Sequence, residues 1–98
     1  MKPPPSSATH EADLVFLVER YLPVTAVDGL AASVARVARL CLRGESVRYL
    51  QSVFLPSDDT CFCIFQAASA DAVHAVNAAG RFPVDRITRA IPLPTHLQ

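Results

Sequence analysis

The chain has 98 residues, 51% hydrophobic and 18% charged, and its nine basic and nine acidic residues cancel. That length predicts one domain with a thin core, burying roughly 60–65% of the unfolded surface, and the composition is far from that of a disordered chain. With no block of like charge, the sequence excludes the clustered basic stripe of a nucleic-acid surface and offers nothing to an anionic membrane.

No run approaches the roughly 18 apolar residues of a membrane span, and MKPPPSSATHEAD lacks the apolar core of a secretory signal. The three cysteines, Cys41, Cys61 and Cys63, are an odd number whose spacing suggests no disulfide framework. A reducing cytoplasm is the expected compartment.

Residues 1–13, with Pro3-Pro4-Pro5, read as a solvated, polyproline-biased tail. A single domain is expected over 14–93, followed by a C-terminal tail at 94–98. DLVFLVERYL opens the domain as a short β-branched and aromatic run, a strand buried on both faces. Pro23 ends it. Thr25 and Asp28 form a capping-box-like pair at a helix start. Leu30, Val34, Val37 and Cys41 then recur at helical spacing, with Arg36, Arg39 and Arg43 largely on the other side and Gly44 as the stop.

SVRYLQSVFL reads as a second strand, Pro56 to Asp59 as a turn, and TCFCIFQ as a third strand, making a hairpin. Ser69 caps a second helix, ADAVHAVNAA, which Gly80 stops. DRITRAI supplies a fourth strand before PLPTHLQ. The order β-α-β-β-α-β predicts an α+β, ferredoxin-like fold: a four-stranded antiparallel sheet with two helices on one face. Two helices leave the other face open, yet the strands are apolar on both faces, with Val15, Leu17, Phe16 and Val18 in the first and Phe62, Ile64, Cys61 and Cys63 in the third. A second copy is therefore expected to cover it, as in a dimeric α+β barrel.

Alternation in a strand puts Cys61 and Cys63 on one face, roughly 6–7 Å apart at Cα. That separation suits two ligands of a soft metal, but zinc needs two further Cys or His ligands and the sequence supplies no second pair. Buried packing is the simpler reading of Cys61 and Cys41, and a ligand role stays open for Cys63. His10 and His96 lie in the tails. His74, mid-helix, is a candidate metal ligand or base. Glu19 and Arg20 end the first strand, so they either reach past the sheet edge into water or pair with Asp85 or Arg86, with Glu19 a candidate polar group of an inter-subunit cavity. No glycine-rich phosphate loop, nucleophile elbow or catalytic carboxylate pair is present.

FLVERYLP, VRYLQS, DDTCFCIFQA and AAGRFPVDRI, spread over residues 14–93, resemble the domain-of-unknown-function 4242 family. These are small bacterial proteins, frequent in actinobacteria, some described as nickel-binding. The resemblance implies a ferredoxin-like fold, a homodimer through the sheet and a divalent transition metal, Ni²⁺. The family's third strand runs Phe-Cys-x-Tyr-Glu-Ala-Pro. Phe62, Cys63 and Ala67 match it, whereas Phe65, Gln66 and Ala68 replace the tyrosine, glutamate and proline, and Arg81 is an extra loop residue. On this resemblance the metal ligand candidates are His74, Cys63, Glu19 and Asp85. Two further readings compete with a metal-binding dimer. One is a small dimeric α+β barrel enzyme, a monooxygenase or isomerase type acting on a hydrophobic molecule with His74 or Glu19 as base. The other is a structural or regulatory module with the proline tail as a partner-binding arm.

Overall fold

A computed structural model describes residues 14–22, 27–44 and 46–94. The proline-rich tail and the Thr25 cap lie outside the described residues. The elements are β1 (Leu14–Tyr21), α1 (Val27–Arg43), β2 (Val47–Leu55), a 3-10 turn at Pro56–Asp58, β3 (Thr60–Ala67), α2 (Ala70–Ala79) and β4 (Arg86–Ala90). The four strands form one antiparallel sheet in the order β2-β3-β1-β4, so the two apolar strands β1 and β3 occupy its centre. This is the split βαβ arrangement expected from the element order.

Both loops that set the strand ends follow from local chemistry. Pro56 opens the 3-10 turn and Asp59 closes it at φ 50°, a left-handed conformation that aspartate tolerates. In α2, the Ser69 hydroxyl accepts a hydrogen bond from Ala72 N, satisfying a free amide of the first turn.

Phe16, Val18, Cys61, Cys63, Phe65 and Ala67 face the helices and join Leu30, Val37, Cys41, Val73 and Phe82 in one buried core. The opposite face stays open, and along it Val15, Leu17, Phe62 and Ile64 sit beside Val53 of the edge strand. Val15 is buried, Leu17, Phe62 and Ile64 are half-buried, and Val53 is exposed. Full burial on both faces, expected for β1, is thus complete on the helix side and reached on the open face only at Val15. Two helices are too few to cover the second face.

The helices meet at Gly80, just past α2. A Cβ there would stand 2.7 Å from Val37 Cγ2 and 3.4 Å from Leu40 Cδ1. Arg36 of α1 closes the same junction by donating from Nε to the Gly80 carbonyl at 2.6 Å. Gly80→Ala is therefore expected to cost about 1–3 kcal/mol in denaturant unfolding through overpacking. Gly29→Ala, in α1 with nothing within 4 Å of the added methyl, is expected to stabilise by about 0.5–1 kcal/mol.

Candidate functional site

Arg20 extends the alternation of Phe16 and Val18 and so turns into the core rather than past the sheet edge. It is 0% exposed, which overturns the expectation of an end-of-strand arginine in water or paired with Asp85. The strand runs on to Tyr21, and antiparallel pairing sets Arg20 opposite Cys61 and Val18 opposite Cys63. Its Nη1 donates to Cys63 Sγ at 3.6 Å, and its Nη2 donates to Asn77 Oδ1. Neither partner is a carboxylate. The guanidinium carbon stands 3.5 Å above the centre of the Phe82 ring, a cation–π contact. Nε is buried without a partner.

A ring of donors surrounds the thiols. Tyr49 Oη donates to Ser52 Oγ at 2.8 Å, and Ser52 Oγ donates to Cys63 Sγ at 2.9 Å. Cys61 Sγ lies 3.9 Å from Cys63 Sγ. Asn77 is oriented by donating its amide to the Val73 carbonyl at 2.8 Å, which leaves Oδ1 for the arginine. Burial pulls the Arg20 guanidinium below its ordinary value while Cys63, Cys61, Asp85 and Tyr49 hold it up. An arginine starts so far above neutrality that it stays charged. Burial, with Cys63 beside it, pushes the Cys61 thiol up to about 12, and burial also raises Cys41.

The four candidate ligands occupy separate places. Cys63 is in the core. Glu19, one residue before Arg20, points to the open face opposite Phe62 and Arg86, and its Oε2 accepts from Tyr21 Oη at 2.5 Å. Asp85 lies at the same end of the sheet, accepting Tyr21 N on Oδ2 at 2.7 Å while its own N–H donates to the Glu19 carbonyl at 2.9 Å. His74 is exposed on α2, in the helix layer. Among the described residues no group of three or more His, Cys, Asp and Glu side chains is placed to hold a metal ion. Within this chain the set does not converge, and a cation beside Cys63 would meet the Arg20 charge.

An apolar cavity of about 300 Å³ opens on the uncovered face, lined by Val15, Leu17, Leu50, Ile64, Ala90, Ile91 and Pro92, with Gln66 as its polar group. It has the size of a small-ligand pocket, but neither Glu19 nor His74 lines it. Among the described residues the space between sheet and helices is filled by the packed core.

Sequence reasoning missed Arg20 and Asn77 as members of a site. The strand parity that sorted the cysteines carried the signal for Arg20. For Asn77 the signal was its place four residues after Val73 on the core stripe of α2.

The sequence pattern described as "Nickel responsive protein SCO4226-like" matches residues 16–89. Among solved structures the chain is similar to SCO4226 from Streptomyces coelicolor A3(2), with a TM-score of 0.69 and 23% identity, covering 83% of this chain and 99% of that one. That likeness carries the fold. No curated protein matches the chain.

Asn77→Ala removes an acceptor from a buried cation and is expected to cost about 3 kcal/mol in urea unfolding. Combining Arg20→Met with Asn77→Leu, which replaces both polar partners by apolar groups, should recover most of that loss. The Cys61 thiol makes stability depend on pH. Its folded value lies above the ordinary thiol value of about 8.5, so the unfolded chain gives up this proton first. The stability it contributes is whole below about 8.5 and declines as pH climbs toward about 12. Cys61→Ala should flatten that decline in unfolding curves recorded across this window.

Proposed function

The chain belongs to the SCO4226-like family of nickel-responsive proteins, and from that premise we propose that it is a homodimer that binds Ni²⁺ in the cytoplasm. The observation that carries the dimer is the open sheet face. Its centre is apolar, its flanking charges Glu19 and Arg86 are of opposite sign on paired positions, and Leu50 and Val53 are 42% and 46% exposed. An apolar patch with a mixed-charge rim suits a two-fold, self-complementary contact without like-charge repulsion. A second copy laid on this face would also fill the cavity at Leu17 and Ile64.

Nickel enters this reading through the family. Glu19 and Asp85 stand at one end of the open sheet, where a two-fold contact would add the partner's carboxylates to them. Carboxylates are suitable ligands for a divalent transition metal, whereas His74, exposed in the helix layer, stands apart from them. Cys63 is left out of the set because of its guanidinium neighbour. Three free cysteines suit a reducing compartment. None of the helices among the described residues is long and apolar enough to cross a membrane.

Native mass spectrometry of the metal-free chain, followed by titration with Ni²⁺, tests both parts. A dimer is expected that dissociates in Leu17→Glu and takes up nickel saturably, with uptake weakened at least tenfold in Glu19→Gln combined with Asp85→Asn. A monomer at every concentration would overturn the dimer. Uptake unchanged by the paired carboxylate substitution would overturn the ligand assignment.

A further inference from the structure

The helix-side cluster is separate from the nickel reading and poses its own charge problem. Arg20 carries a full positive charge at 0% exposure, its two hydrogen-bond acceptors are a sulfur and an amide oxygen, and its Nε has no partner. Among the described residues no carboxylate hydrogen-bonds to it, and Asp85 acts only through its field. A charge taken out of water without a bonded counter-charge is costly to retain. The donors around it point at one atom. Ser52 Oγ at 2.9 Å and Arg20 Nη1 at 3.6 Å both donate to Cys63 Sγ, and Cys61 Sγ stands 3.9 Å away as a third possible donor. Ser52 Oγ accepts the Tyr49 hydroxyl at 2.8 Å, which leaves its own proton free to point at the sulfur. A neutral thiol could spend its proton on Cys61 Sγ or Ser52 Oγ, but it would offer no charge to the guanidinium. A thiolate accepts from all of them and answers the guanidinium.

We propose that Cys63 is a thiolate in the folded protein, forming a buried ion pair with Arg20 that Ser52 and Cys61 complete by hydrogen bonding. Folding transfers the Cys63 proton to solvent, leaving its electron pair on sulfur. The cluster around the thiolate is accounted for element by element. β1 supplies Arg20, β2 supplies Tyr49 and Ser52, β3 supplies Cys61, α2 supplies Asn77, and the loop before β4 supplies Phe82. The remaining titratable groups nearby are Cys41 of α1, linked through the Tyr49 backbone, and Asp85, whose carboxylate is engaged by Tyr21 N. With Cys63 ionised, a second ionisation 3.9 Å away is opposed, which agrees with the Cys61 thiol being pushed up to about 12. Cys63 is then the nucleophilic sulfur of the chain. At 1% exposure Cys63 is shut off from solvent, and Arg20 beside it repels cations.

The ultraviolet absorbance of the thiolate, recorded on the whole chain at neutral pH, tests the pair. Unfolding the wild type in denaturant should remove the band, because a free cysteine is only about 3% ionised at neutral pH. With three free cysteines the unfolded chain holds roughly 0.1 thiolate, so the folded chain should hold about ten times more. Cys63→Ser should abolish the folded-state band, Cys41→Ser should leave it whole, and Arg20→Met should reduce it to the unfolded level. The wild-type folded-minus-unfolded difference needs no variant to fold. A zero difference overturns the proposal, as does a band that survives Cys63→Ser and disappears in Cys61→Ser. Neither result depends on nickel or on dimerisation.

Discussion

A guanidinium removed wholly from water has to be answered by the groups around it, and here that requirement ties the layers together. Arg20 rises from a central strand and bonds to Cys63 on the neighbouring strand and to Asn77 on α2. The Phe82 ring, just past α2, covers its face. Asn77 can serve only in the orientation fixed by the Val73 carbonyl. Packing alone would let α2 slide along an apolar sheet, because hydrophobic contact is non-directional. A charge with named acceptors allows one placement. The Gly80 junction and the Arg36 bond to its carbonyl then fix α2 against α1.

This arrangement divides the sheet into two faces with different physics. The helix face is closed, and its polar groups are joined in a chain from Tyr49 through Ser52 to Cys63 and Arg20. In a low dielectric such a chain is strong when every member is satisfied and costly where one is not, so the orphaned Nε marks where the cluster is under most demand. The open face is the reverse. It has apolar area and a cavity but few polar groups within it, so it can offer shape and hydrophobic area, with chemistry confined to the Glu19 and Asp85 rim.

The fold was legible because each element carried its own signal. The helical spacing of Leu30, Val37 and Cys41, the Ser69 cap, and the proline-led turn before TCFCIF all survive in the structure with boundaries shifted by a residue or so. These are local features, and local periodicity reports them directly. The site was less legible because it is made of contacts distant in sequence. Arg20 and Asn77 lie 57 residues apart, and nothing in either stretch names the other. Arg20 was misplaced for a specific reason: a charge near a strand end is most simply solvated, and nothing in its own stretch names the Cys63 and Asn77 acceptors that hold it inside.

The two cysteines of TCFCIF show how a spacing gains meaning only from its neighbours. Alternation puts both sulfurs on one face, and by itself that suits a soft cation as well as it suits packing. The antiparallel register adds what spacing lacks, setting Arg20 directly across from Cys61 and diagonally from Cys63. An arginine in that place changes the sign of what the thiols can hold, since a guanidinium favours a thiolate and disfavours a second cation. Strand parity had already determined that Arg20 shares the face of Phe16 and Val18, and pairing β1 with β3 follows from the fold class. The chemical character of the Cys-x-Cys pair is therefore a property of two strands read together, and it becomes visible as soon as their register is known.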